Sequence, residues 1–161
     1  KSALNYTNEK INTTLIEKNT NEYSEKPAFA KYNIELENWI KNVSGKIILK
    51  PFLLFPFKTA IIETEDRKYG VERNFLTKYN INYNIELPEN TQIETLPNAT
   101  TFENNSGKLV VNYKPNGKKI DVLMTIETKQ LITETTEFSY WNEFIKNLNK
   151  IYNQSIVLKN E

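Results

Sequence analysis

Polar and apolar side chains alternate most regularly in residues 78–88, KYNINYNIELP. The apolar positions share one parity: Tyr79, Ile81, Tyr83, Ile85 and Leu87. Successive side chains of a strand point to opposite faces, so this pattern predicts a strand with one core face and one hydrated face. Pro88 cannot donate a ladder hydrogen bond, and the predicted strand therefore ends there.

Two β-rich segments lie nearer the N-terminal end, at residues 10–18 (KINTTLIEK) and 27–37 (PAFAKYNIELE). Their content of β-branched and aromatic residues predicts two strands, which we expect to pair in antiparallel fashion. In the second segment the apolar parity is odd at Phe29 and even from Tyr32 onward. This change predicts a β-bulge near residues 30–31.

A short predicted strand at residues 45–49 leads into the apolar loop PFLLFPF at residues 51–57. Two prolines prevent regular strand pairing in this loop. The loop can cover one end of the core with its own aromatic rings, which is the favoured interpretation. Alternatively, it can form an exposed patch that docks onto a neighbouring domain. The candidate interface residues in that case are Phe52, Leu53, Leu54, Phe55 and Phe57.

Turn signals and β-rich segments continue through the C-terminal half. Residues 104–107 (NNSG) predict a turn, and residues 108–114 predict a strand. Asn116 and Gly117 then predict a hairpin, because this pair suits the positive φ values of a type I′ turn. The hairpin leads into a second extended segment at residues 118–133.

The hydrophobic period changes from two to between three and four near the C-terminal end. The apolar positions with this spacing are Trp141, Phe144, Ile145, Leu148, Ile151 and Tyr152. They predict an amphipathic helix over residues 137–153, packed on a sheet and capped by Thr135 or Thr136. Residues 155–159 (SIVLK) predict a last short strand.

Together these elements predict a mainly β fold, an antiparallel, sandwich-like domain with one C-terminal amphipathic helix. The charged segment 59–73 is expected to connect two parts of the chain. The first, residues 1–66, is a β-hairpin and linker half, and the second, residues 67–161, is an accessory β-domain. The two parts can share one core.

The composition excludes several kinds of chemistry. The chain has no cysteine and no histidine, so it has no thiol nucleophile, no imidazole base and no imidazole metal ligand. Basic residues number 21 against 20 acidic ones, and Arg67 and Arg73 are the only arginines. This balance disfavours a nucleic-acid interface. The longest apolar run is too short to span a bilayer, so no membrane span is expected.

The remaining candidate sites have weak signals. Glu63, Glu65 and Asp66 are the densest acids, but they lack the ligand spacing and the glycine of a calcium loop, so a hydrated surface is expected there. A pair of distant carboxylates could in principle hydrolyse a glycoside, although no pair stands out. Nine tyrosines and two tryptophans could stack on sugars, but most lie on core parities. We therefore predict no catalytic residue, no cofactor and no metal site.

Several segments together resemble a known family. They are KIILKPFLLFPF, DRKYGVER, YNINYNIELPENTQIETLP, LVVNYKPNGKKIDVLMTIE, the helix EFIKNLNKIYNQ and the ending IVLK. The chain resembles the C-terminal domain of unknown function that follows a transglutaminase-like domain in exported proteins of Bacteroidetes-type bacteria. One departure is Tyr69-Gly70-Val71, where the family usually has an aromatic residue, proline and valine.

The resemblance implies a non-catalytic accessory domain that packs in cis against an upstream transglutaminase-like domain, outside the cytoplasm. The family's Cys–His–Asp triad cannot lie in this chain, and we expect it upstream of Lys1, since the chain opens without an initiator methionine. The alternative is an extracellular module that binds a polysaccharide or peptide through exposed aromatic residues. Its partner would be a cell-surface polymer.

Overall fold

The computed structural model describes residues 11–18, 30–36 and 39–160. They form several antiparallel sheets and one C-terminal helix, which confirms the predicted fold class. In chain order the elements are β1 (Ile11–Lys18), β2 (Ala30–Leu36), β3 (Ile40–Val43), β4 (Lys46–Leu49), β5 (Val71–Glu72), β6 (Lys78–Glu86), β7 (Thr91–Thr95), β8 (Thr100–Glu103), β9 (Gly107–Asn116), β10 (Lys119–Thr128), β11 (Ile132–Thr133), α1 (Phe138–Tyr152) and β12 (Ile156–Asn160).

The largest sheet has the strand order β6-β10-β9-β8, and each neighbouring pair is antiparallel. Strand β10 lies inside this sheet, and its four apolar side chains of even number are fully buried: Ile120, Val122, Met124 and Ile126. The same face of β9 adds Leu109 and Val111 to the core. Strict alternation in β10 therefore corresponds to one face that is completely covered.

Helix α1 supplies much of that cover. Its apolar stripe, predicted from the sequence spacing, is buried as expected. A Cβ atom on Gly107 would lie 2.7 Å from the ring of Phe144, so glycine permits the close approach of helix and sheet. A 3₁₀ turn at Thr135–Glu137 precedes the helix. The predicted capping by Thr135 or Thr136 is wrong, because both residues belong to this turn and Glu137 occupies the N-cap position without a side-chain cap.

A second sheet, with the order β3-β4-β12-β7, completes the core. Its last strand in the chain, β12, contributes Ile156 and Leu158 to the same cluster of buried residues as α1 and β10. Strand β4 precedes residue 67 and pairs with β12, which follows it. Phe52 and Ile62 also precede residue 67 and belong to that cluster. The domain boundary at residue 67 stays a prediction.

Strand β6, the segment with the most regular alternation, lies at the edge of the large sheet. Its odd face turns toward the core as predicted, but Ile81, Tyr83 and Ile85 are half-buried and Tyr79 is 41% exposed. The prediction that this face forms the core is therefore only partly right. An edge strand has a neighbour on one side alone, and less material covers its side chains.

The hairpin between β9 and β10 forms at the predicted place with a different turn. Asn116 pairs with Lys119, so the two turn residues are Gly117 and Lys118 rather than Asn116 and Gly117. Gly117 has a φ of 58°, whereas Lys118 has a negative φ. A positive φ at the first central residue alone is typical of a type II′ turn. The predicted type I′ turn is wrong because the strand register places Asn116 inside the ladder.

Strands β1 and β2 form the predicted antiparallel pair, as a separate two-stranded sheet. Residues 10, 27–29 and 37 of the two predicted segments lie outside the described residues. The bulge lies in β1 at Ile16, not at residues 30–31, because Leu15 pairs with Tyr32 and Glu17 with Lys31. The change of parity in β2 thus marks the place where the partner strand carries the extra residue.

Candidate functional site

The predicted interface loop at residues 51–57 mostly covers the core. Phe52 is fully buried, and its ring lies edge-on to those of Tyr83 and Tyr152 at centroid distances of 6.0 and 5.8 Å. Phe55 packs on Tyr152 in the same manner at 5.2 Å. Phe57 contacts Tyr79 and Trp141 edge-on. Edge-to-face contacts of this kind anchor the loop to the sheet and the helix.

Leu53 and Leu54 occupy a different position in the loop. Both are partly exposed, and their backbone N–H groups donate to the hydroxyl oxygen of Tyr83 over 3.3 and 3.1 Å. Burial raises the pKa of Tyr83, and the two hydrogen bonds oppose that rise, so the hydroxyl stays neutral at ordinary pH. Phe52 is buried and the other four loop residues are partly exposed, and the docking role of the five stays a prediction.

The acidic run forms no enclosed site. Glu63, Glu65 and Asp66 are exposed and line a shallow surface depression with Arg67 and Lys68. In the described part of the chain, no group of three acidic side chains is arranged to hold a metal ion. No helix in that part is long and apolar enough to cross a membrane.

The asparagines of β6 line the open face of the large sheet. Asn84 donates to Asp121 on β10 over 2.6 Å, and Asn80 accepts a hydrogen bond from the Thr125 hydroxyl over 3.2 Å. Asn82 pairs in register with the exposed Leu123. These contacts are cross-strand pairs on a hydrated face.

A groove of about 580 Å³ lies beside α1, between residues 60–63 and residues 71–77. It brings together the only two arginines of the chain and several apolar side chains. Six of its lining residues matter here: Phe57, Ile61, Arg67, Arg73, Phe75 and Trp141. Glu63 is the one carboxylate among the described lining residues, which therefore provide no pair of acids for general acid–base chemistry. The cationic and apolar side chains of the groove are suited to binding a ligand.

The first wall of the groove is attached to α1 by hydrogen bonds. Asn142 accepts from the backbone N–H of Ile62 and donates to the carbonyl of Ile62, both over 2.8 Å. The indole N–H of Trp141 donates to the carbonyl of Ala60. Because Ile62 is nearly fully buried, both of its backbone groups need these partners, and the wall is held in one position.

The second wall begins with Val71 of β5, which pairs with β11, and continues through Arg73 to Thr77. The backbone N–H of Arg73 donates to the carbonyl of Leu131 over 2.8 Å. A Cβ atom on Gly70 would lie 2.9 Å from the carbonyl oxygen of Thr133, so glycine permits the close approach of the two strands.

The Arg73 side chain connects the second wall to α1. Its guanidinium lies 3.7 Å from the centroid of the Trp141 ring, within the range of a cation–π contact, and Nη1 donates to the Thr133 hydroxyl over 2.8 Å. No carboxylate of the described residues lies within ion-pair distance of it. Partial burial lowers the pKa of Arg73 from its ordinary value, because desolvation disfavours the charged form.

Sequence reasoning identified Arg67 and Arg73 as the only arginines but did not place them together. It assigned Trp141 to the core, which is correct, since its ring is buried with one face beneath Arg73. The sequence pattern did not indicate a role for Phe75, because this residue lies in a short irregular segment. In the structure it lines the groove and is 68% exposed. Among the three aromatic rings of the groove, Phe75 alone is mostly exposed.

Comparisons with known proteins agree with this fold. A solved structure described as that of a putative protease from Parabacteroides distasonis ATCC 8503 is similar, with a TM-score of 0.60 and 18% sequence identity. The similarity covers 72% of this chain and 24% of that chain, so the matched part spans about a quarter of that protein. At this identity the likeness concerns the fold alone. The curated proteins include no match.

The sequence of most of the chain also matches one family. Residues 45–158 match a family described as a domain of unknown function with a solved structure, DUF3858. The match includes the helix, the groove and, apart from β3, both large sheets. The hairpin of β1 and β2 precedes it. The chain therefore belongs to the DUF3858 family of domains of unknown function.

Proposed function

We propose that the chain is a non-catalytic accessory domain of an exported protein and packs in cis against a transglutaminase-like domain outside the cytoplasm. The resemblance of its sequence motifs supports this context. The similar solved structure, a chain about three times as long that is described as a putative protease, supports an association with an enzyme-like protein. The absence of cysteine and histidine supports a role in which catalysis belongs to another part of the protein.

The observation that carries the proposal is the uncovered apolar face of the β1–β2 hairpin. Leu15 pairs with Tyr32 and Thr13 with Ile34, so one face of the hairpin is mostly apolar. Leu15 is 44% exposed and Tyr32 is 52% exposed. An isolated two-stranded hairpin is only marginally stable in water, and a partner surface that covers this face stabilises it. Leu53 and Leu54 are candidates for a second contact with the same partner.

The test uses the complete protein and two matched variants. Leu15→Lys places a charge on the apolar face, and Thr14→Lys places the same charge on the opposite, polar face. We expect Leu15→Lys to lower the thermal midpoint of the complete protein by several degrees and to expose the hairpin to hydrogen–deuterium exchange. Thr14→Lys serves as the control and leaves both quantities unchanged.

Equal behaviour of the two variants in the complete protein contradicts cis packing through the hairpin. The isolated chain adds a second control, because both side chains are exposed there. Its thermal midpoint is expected to stay within about a degree for either variant, as for most surface substitutions.

The alternative, a polysaccharide-binding module, has less support. Stacking on sugars requires several exposed aromatic rings in one row, and in the groove only Phe75 is mostly exposed. A peptide ligand fits the mixture of cationic and apolar side chains better.

A further inference from the structure

We propose that the groove between residues 60–63 and 71–77 binds an extended peptide segment in which a glutamate or aspartate is flanked by apolar residues, and that Arg73 receives the carboxylate. The inference concerns a site other than the hairpin. It does not depend on the proposed cis packing.

The Arg73 guanidinium is incompletely bonded. A guanidinium has five N–H donors in a planar fork. One of the Arg73 nitrogens donates to Thr133, and the carboxylates of the described residues form no ion pair with it. A half-buried arginine that has no anionic partner is stabilised when a carboxylate binds to it. The carboxylate replaces part of the interaction with water that burial removes.

The guanidinium of Arg73 is held in place. The stacking on Trp141 and the bond to Thr133 restrict the arginine from two sides, while its backbone N–H is bound to Leu131. A guanidinium that is already held in place loses little conformational entropy when it donates two hydrogen bonds to a carboxylate. This arrangement distinguishes Arg73 from the exposed Arg67 at the rim, which can contribute only a screened attraction.

Exposed apolar side chains flank Arg73 in the groove. Ile61 is 43% exposed on one wall and Phe75 is 68% exposed on the other, so apolar side chains border the cation on both sides. Arg67 and Arg73 outweigh the single carboxylate of the lining, Glu63. The positive charge of the groove therefore complements an acidic side chain. The apolar side chains on its walls complement the apolar residues that flank this acidic residue in an extended peptide.

The test is an NMR titration of the isolated chain with two capped peptides, acetyl-Ala-Leu-Glu-Val-Ala-amide and its glutamine counterpart. The signal to follow is the indole N–H of Trp141, which lies at the groove. We expect the glutamate peptide to bind about 10- to 100-fold more tightly than the glutamine peptide, because a charge-assisted bidentate contact is lost in the latter. This comparison uses unmodified protein and so does not depend on the folding of a variant.

Three variants locate the effect. Arg73→Gln is expected to abolish the preference for glutamate, and Arg73→Lys to retain a smaller preference, since lysine keeps the charge but not the fork. Lys68→Gln removes a nearby positive charge outside the groove lining and is expected to leave the preference unchanged.

Several outcomes overturn the proposal. Equal affinity for the two peptides excludes recognition of the carboxylate, and the absence of saturable shifts up to about 10 mM excludes binding of this peptide class. Tighter binding of oligogalacturonate than of the glutamate peptide assigns the groove to an acidic polysaccharide instead. A concentration-dependent dimer that Arg73→Gln disrupts assigns it to a second copy of the chain.

Discussion

Strand β10 and the β1–β2 hairpin show the same alternation of side chains and have opposite surroundings. In β10 the four apolar side chains of even number are completely buried beneath α1 and the second sheet. In the hairpin, Leu15 and Tyr32 also share a face, but about half of each side chain is exposed. Alternation therefore tells which side chains share a face, and the material packed on that face decides how much is buried.

The same contrast separates the region that matches the family from the hairpin that precedes it. Residues 45–158 match the family and contain the whole buried cluster, whereas the hairpin precedes the match. A region that buries its own apolar face has a stability of its own. The hairpin leaves its apolar face uncovered, and the proposed interface with a partner rests on that observation.

The largest expected effect is in the core. Phe144 is fully buried against Gly107 and Trp141, and Phe144→Ala removes the ring from a densely packed site. We expect the free energy of unfolding of the isolated chain to fall by about 3–5 kcal/mol, as for other large-to-small substitutions. Urea unfolding followed by circular dichroism measures this change. A loss below about 1 kcal/mol would show that the helix is not tightly packed on the sheet.

The second expected effect is a loss of stability in alkali. Burial raises the pKa of both Tyr113 and Tyr152 far above the ordinary value. The unfolded chain releases these protons near pH 10, whereas the folded chain keeps them to higher pH. The stabilisation is therefore complete below about pH 10 and is lost as the pH rises through the folded values.

Urea unfolding midpoints between pH 8 and 11.5 test this expectation. The midpoint should be level up to about pH 10 and should fall above it. Tyr152→Phe removes one of the two groups and should make the decline shallower, although it also removes the hydrogen bond to the carbonyl of Pro56. A midpoint that stays level above pH 10 would contradict the burial of the two hydroxyls.

The smallest expected effect is in the hairpin. Leu15→Ala in the isolated chain should change the free energy of unfolding by no more than about 0.5 kcal/mol, because the side chain has little to pack against. A change comparable to that of Phe144→Ala would place the hairpin inside the cooperative core and would remove the contrast between the two regions. The two variants should be measured under identical conditions.

Strands with regular alternation and the helix were predictable from the sequence. The periods of two and of 3.6 follow from local backbone geometry, so β1, β2, β6, β10 and α1 all appear where the pattern places them. Short strands such as β3, β5 and β8 were missed. They contain two to four residues, which is too few for a periodic signal, and they exist because a neighbouring strand provides their hydrogen bonds.

The exposure of the candidate interface residues was also not predictable from local sequence patterns. The apolar composition of residues 51–57 could not distinguish Phe52, which is fully buried, from Leu53, which is partly exposed. The groove was not predictable either. Ile61, Arg73 and Trp141 are separated by up to 80 positions in the chain and meet only through the pairing of β5 with β11 and the packing of α1.

By itself, the sequence determined the fold class, the position of the helix and the lack of thiol and imidazole chemistry, since each depends on residue type and local spacing. The tertiary structure alone decided that β6 lies at an edge, that the hairpin turn shifts to Gly117 and Lys118, and that Arg73 stacks on Trp141. The physical reason is that register, edge position and side-chain stacking depend on contacts between residues distant in the chain. Local periodicity carries no information about those contacts.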